Sequence, residues 1–124
     1  MTYQNHSVSR AADIFKALGD GSRLKILKLI AAKGNLLCVG YIAKHIGLSQ
    51  PAVSQHLKLL KSVGILSSER QRFHVHYRID ESALASFGVD TMALLKSFGA
   101  EMDLTGTCEH HDDEETCTML NSTV

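Results

Sequence analysis

Apolar residues return every three or four positions along most of the chain, and one stretch alternates in twos instead. In "SVSRAADIFKAL", residues 7–18, Val8, Ala11, Ala12, Phe15 and Leu18 fall on one stripe that stops at Gly19. This spacing predicts a short amphipathic helix. After "GDGS", with Ser22 in capping position, "RLKILKLIAAK" carries Leu24, Leu27 and Ile30 together with Ile26 and Leu29. More than half its circumference is apolar, which predicts a buried helix, ended by Gly34. "LLCVGYIAKHIG" reads as a brief extended segment and a helix bearing Ile42, Ala43 and Ile46, closed by Gly47. "LSQPAVSQHLKLLKSVGIL", residues 48–66, keeps its beat at Val53, Leu57, Leu60, Val63 and Leu66. Ser49 is a natural N-cap there, Pro51 fits the first turn, and Gly64 is the stop.

Two helices joined by "GLS" predict a helix-turn-helix whose second member enters a major groove N-terminus first. Its outward face explains the mixture of small polar residues. Ser54 and Gln55 suit base edges, while Ser49, Gln50, His56, Lys58 and Lys61 suit phosphates, sugars or neighbouring groups. "ILSSERQRFHVHYRID" then alternates Arg70, Arg72, His74, His76 and Arg78 against Gln71, Phe73, Val75, Tyr77 and Ile79. Period two predicts a hairpin, or wing, with one basic face; Arg70, Arg72 and His74 are its DNA-contact candidates. From Glu81 helical spacing resumes through Leu84, Phe87, Thr91, Leu94 or Leu95, Phe98 and Met102. Such a face needs a partner, and a homodimer would present two reading helices to half-sites about 34 Å apart. A monomer folding the helix back on itself is the alternative.

The expected fold class is therefore mainly α with a small β-hairpin, a winged helix-turn-helix dimerising through terminal helices. At 124 residues the chain has room for one such domain and a tail. The expected division is 1–104, for DNA binding and dimerisation, and 105–124, an acidic tail flexible without ligand. No membrane span or signal pattern is evident, so a cytoplasmic protein is expected, with its three cysteines reduced. An odd cysteine count also disfavours a disulfide framework.

Charge sharpens this picture. The formal net charge is zero, yet residues 1–79 hold twelve Lys and Arg against three acids, a net +9. Residues 80–124 hold only Lys96 against ten acids, a net −9. A basic front attracts a polyanion such as double-stranded DNA. No Gly-rich phosphate loop, nucleophile elbow or pair of catalytic carboxylates is present, so an enzyme is not expected.

The tail "GTCEHHDDEETCTML" offers Cys108, Cys117, His110 and His111 among acids that concentrate cations. Thiolates and imidazoles suit soft or borderline ions such as arsenite, zinc or cadmium. Cys38 is a further candidate ligand, or else a small buried hydrophobe. Two readings follow: a DNA-binding protein that responds to a metal or metalloid ion, or one switched by oxidation of a Cys108/Cys117 dithiol. A metal-buffering or interaction protein without DNA binding is a third, disfavoured by Ser54, Gln55 and Lys58.

"FKALGDGSRLKILKLI", "LCVGYIAKHIGLSQPAVSQHLKLLKSVGIL" and "HVHYRI" together resemble the ArsR/SmtB family of winged-helix transcriptional repressors. The likeness covers roughly residues 10–104, with separated motifs in the right order. It implies homodimers that block promoters and release DNA when a metal ion, metalloid or oxidant reaches a sensing site. The chain departs from the family's usual sites. Arsenic-sensing members often carry Leu-Cys-Val-Cys-Asp where this chain has "LCVGY", with Gly40 and Tyr41. Zinc sensors use a His-rich last helix, whereas residues 82–104 contain no His. Arg72 also stands where a turn glycine is usual.

Overall fold

The computed structural model describes residues 5–34 and 36–100. The elements run α1 (Asn5–Leu18), α2 (Gly21–Lys33), β1 (Leu37–Cys38), α3 (Val39–Ile46), α4 (Gln50–Ser62), β2 (Leu66–Gln71), β3 (His74–Ile79) and α5 (Glu81–Ala100). The boundary between two units falls within α5, between Met92 and Ala93. No helix among the described residues is long and apolar enough to cross a membrane.

The core forms where several helices turn their apolar stripes inward. Ile26 of α2, Ile42 of α3, and Val53, Leu57 and Leu60 of α4 are fully buried, with Ile65 and Leu66 closing the end of α4. Each such side chain contributes about 1.5–3 kcal/mol relative to exposure. The predicted stripe of α1 is displaced. Ile14 and Ala17 are buried, whereas Val8 and Phe15 are 46% and 44% exposed. Phe15 meets Phe87 of α5 edge-on, with ring centroids 5.4 Å apart. The expectation that α2 is buried around most of its girth is likewise corrected. Only Ile26 and Ile30 are buried, and Leu24 is half exposed, because the neighbouring elements cover one side of the helix.

Capping decides where the helices start. Ser22 is not the cap of α2. Asp20 takes that role, accepting from the Arg23 N–H at 3.1 Å, so the helix begins one residue before Ser22. Its carboxylate satisfies an otherwise orphaned donor and favours the positive end of the helix dipole. Ser49 caps α4 as expected, accepting from the Ala52 N–H at 3.3 Å, with Pro51 in the first turn. Gly47 ends α3 at φ +80, a left-handed conformation that L side chains rarely adopt. Its N–H donates to the Ala43 carbonyl at 2.9 Å and turns the chain toward α4.

The sheet has three antiparallel strands in the order β1-β3-β2, so the brief extended segment before α3 joins the wing. Leu37 pairs with Tyr77 and Cys38 with His76. Tyr77, Leu37 and Leu66 are buried, which identifies the sheet's inner face.

Candidate nucleic-acid interface

The register of the wing overturns the expectation of one basic face. Gln71 pairs with His74 and Arg70 with Val75 across a two-residue turn. Directly paired residues share a face. His74, His76 and Arg78 therefore lie with Ser67, Glu69 and Gln71, while Arg70 falls on the side of Ser68, Val75 and Tyr77. A strict period-two count carried through the turn reverses the phase, because the two turn residues belong to neither ladder. Arg70 is nevertheless exposed, since it lies near the tip beyond the core. Arg72 occupies the turn at φ +57, the only non-glycine with positive φ among the described residues.

Helix α4 presents two distinct sides. Val53, Leu57 and Leu60 anchor it, leaving Gln50, Gln55, Lys58 and Lys61 exposed and Ser54 half-buried. Ser49 is exposed at the start, with its hydroxyl oxygen engaged in the cap. Lys61 donates to the Ser68 hydroxyl at 2.6 Å, tying the last turn of α4 to β2. Arg78 donates to the Ser67 hydroxyl at 3.3 Å on the opposite side of the sheet.

His56 is held from outside its own helix. The Arg23 Nη1 lies 3.2 Å from His56 Nδ1, and Arg23 also donates to the Ala17 carbonyl at 2.6 Å and the Lys16 carbonyl at 3.3 Å. A guanidinium only donates, so Nδ1 is the accepting side of this contact. One side chain thus links the end of α1, the start of α2 and the recognition helix. The backbone N–H of Arg23 holds the Asp20 carboxyl below its ordinary range; burial opposes this, and the positive charge of Arg23 adds to the lowering. Sequence reasoning missed Arg23, because its partner lies 33 residues away and no local pattern marks it.

The sensing candidates are only partly in view. Cys38 is half-buried at the junction of β1 and α3, in register with His76. His76 Nδ1 is buried without a hydrogen-bond partner. Among the described residues no group of three or more His, Cys, Asp or Glu is arranged to hold a metal ion. Cys108, His110, His111 and Cys117 lie outside the described residues. Tyr41 stacks on His45 at 4.0 Å. A Cβ on Gly40 would lie 3.6 Å from Gln50 Nε2, so position 40 adjoins the start of the recognition helix.

Comparison with known proteins decides the family. Residues 20–68 match the family described as bacterial regulatory protein, arsR family. A helix-turn-helix transcriptional regulator of Methanocaldococcus jannaschii, itself uncharacterized, is 41% identical over 73 residues, covering 58% of this chain and 81% of that one. The chain belongs to the arsR family. The arsenical resistance operon repressor of Escherichia coli is also 41% identical, over 66 residues; the match spans 53% of this chain and 56% of that one. The homodimeric winged helix-turn-helix DNA-binding domain of a Mycobacterium bovis protein superposes with a TM-score of 0.61 at 29% identity, covering 89% of this chain and all of that one. In arsR-family terms, α3 and α4 are the helix-turn-helix and β2–β3 the wing, and the mainly α winged helix-turn-helix expected from the sequence is the one observed.

Proposed function

We propose that this protein is a cytoplasmic, homodimeric transcriptional repressor that releases operator DNA when a metal or metalloid ion binds cysteine thiolates. The carrying observation is the two-sided α4: its apolar face is fixed in the core, while Gln55 and Lys58 are free for a groove. Gln55, with Ser54, reads base edges. Ser49, Gln50, His56, Lys58, Lys61, Arg70, Arg72 and His74 contact the backbone or set the approach. Exposed Val8 and Phe15 on α1 and Val89 and Met92 on α5, the last two 70% and 54% exposed, support pairing through terminal helices.

The domain reading is 1–104 for DNA binding and dimerisation, with 105–124 as the sensing tail. Cys38, Cys108 and Cys117, with His110 and His111, are the proposed ligands. The Escherichia coli relative's role in arsenical resistance supports an ionic effector. Arsenite or a soft divalent ion suits a thiolate-dominated set, and zinc suits Cys108 and Cys117 with the two tail histidines.

The test is a DNA-binding titration of reduced, full-length protein at several salt concentrations, then with arsenite, zinc, cadmium and a mild oxidant. Affinity should fall steeply with salt, because bound Lys and Arg displace counterions. One of the ions should release the DNA. A response to oxidant alone would favour the dithiol switch, in which Cys108 and Cys117 lose two protons and two electrons to the oxidant as a disulfide forms. Affinity flat in salt would overturn the DNA-binding reading.

A further inference from the structure

We infer that Phe73 is an intercalating wedge: the wing places its ring in the minor groove, between base pairs flanking the major-groove site. The inference rests on the DNA-binding reading and names a contact and a DNA deformation beyond it.

Phe73 is 92% exposed, the highest value among the exposed large hydrophobics. It sits in the two-residue turn between Gln71 and His74 and takes no part in the core cluster. The other exposed apolar side chains of the first unit, such as Val8, Phe15, Val89 and Met92, lie on helices or, for Val75, within a strand. Phe73 alone stands at a tip. Its neighbour Arg72 is held at φ +57, where glycine would be unstrained. Neither feature helps the isolated fold, and unfavourable conformations kept in a turn point toward a contact made elsewhere.

The surroundings indicate what that contact is. Arg70, Arg72 and His74 are exposed around the ring, with Glu69 the nearby acid on the strand behind. Such a collar is drawn to phosphates, but a phenyl ring gains nothing from phosphate. It gains from apolar contact, which DNA offers within its base stack. A narrow hairpin tip suits the minor groove, about 6 Å wide. Apolar wedges there partly unstack a base step and kink the duplex toward the major groove. The cost is smallest at flexible pyrimidine–purine steps, so Phe73 would also confer preference for TA or CA at positions that α4 does not touch.

The experiment uses the full chain and a duplex that it selects from a random 20-base-pair library with fixed flanks. Bending is read by energy transfer between the duplex ends, and unstacking by 2-aminopurine placed in turn at each flanking step. The wild type should bend the duplex by roughly 20–90° and brighten 2-aminopurine at one step per half-site. Phe73→Ala should lose both signals and bind roughly ten-fold more weakly, the scale of one base–aromatic stack. Phe73→Leu, still an apolar wedge, should keep most of the bend. A wild-type complex that is straight and dark, or a Phe73→Ala complex that bends and brightens like wild type, would overturn the wedge while leaving DNA binding intact. If Phe73→Ala instead alters self-association and leaves the duplex signals unchanged, the tip is a protein contact and the wedge falls. Recovery of no duplex at all would overturn the DNA-binding reading and the wedge with it.

Discussion

Arg23 of α2 and His56 of α4 meet through Nη1 and Nδ1 at 3.2 Å, although 33 residues separate them in sequence. The same guanidinium binds the Ala17 and Lys16 carbonyls at the end of α1. Rotation of the recognition helix therefore strains contacts to two other helices. Lysine has the charge but not the fork, so Arg23→Lys should lose most of these bonds. A loss of about 1–2 kcal/mol in stability is expected, with weaker binding to all DNA sequences. Because charge is kept, the slope of affinity against salt should stay unchanged. Urea melts and a salt titration check both parts.

Two positions on α4, Gln55 and Leu57, should respond in opposite ways. Leu57 is fully buried, so Leu57→Ala should destabilise the fold by about 2–5 kcal/mol. Gln55 is exposed, so Gln55→Ala should leave the melt within about 0.5 kcal/mol. It should instead reduce discrimination between operator and random DNA by about 1–3 kcal/mol. Equal weakening on both DNAs would show that Gln55 does not read bases.

At the wing tip, stability and binding should part company. Arg72→Gly relieves the left-handed backbone and should stabilise the protein by about 1 kcal/mol. It also removes a cation from the collar, so binding to every sequence should weaken and the salt slope should drop by roughly one per subunit. Calorimetry and nonspecific-DNA titration give the two signs.

Asp20 predicts an acid dependence. Its carboxyl is held below the ordinary range in the folded protein, chiefly by the Arg23 N–H. The stabilisation is therefore complete above the unfolded carboxylate value, about pH 4, and is lost as pH falls through the lower folded value. Asp20→Asn keeps a capping oxygen without the charge. Its melting temperature should lie below wild type at pH 7, and the gap should close as pH falls through the lowered folded value.

Much of this architecture was legible because local rules governed it. The beat of Val53, Leu57 and Leu60, the Ser49 cap and the Gly47 turn depend only on near neighbours, and all appear as expected. Three of the failures share a cause. The buried stripe of α1, the exposure of Leu24 and the bond between Arg23 and His56 depend on what packs where, which no window of ten residues contains. Arg70 changed face because the turn length, rather than the alternation, sets the phase between strands. Phe73 counted as one half of a period-two pattern, and only the two-residue turn isolates it at a tip.

Cys38 allows the sensing proposal to be tested without confusing chemistry with folding. It occupies the N-cap of α3, at φ −87 and ψ 161, yet makes no side-chain capping bond. Serine is a preferred residue at such a position, because its hydroxyl accepts from a first-turn N–H. Cys38→Ser should therefore leave stability unchanged or raise it by up to about 1 kcal/mol. Affinity of the uninduced protein for DNA should stay within about three-fold, a change of under 1 kcal/mol. Loss of inducer-driven release in this variant would then belong to the missing sulfur rather than to a damaged helix-turn-helix. Cys108→Ser and Cys117→Ser should each abolish release as well, if one ion draws on all three thiolates. A double tail variant that still releases DNA normally would remove the tail from the sensor. Retained release in Cys38→Ser, with loss in both tail variants, would confine the ligand set to residues 105–124.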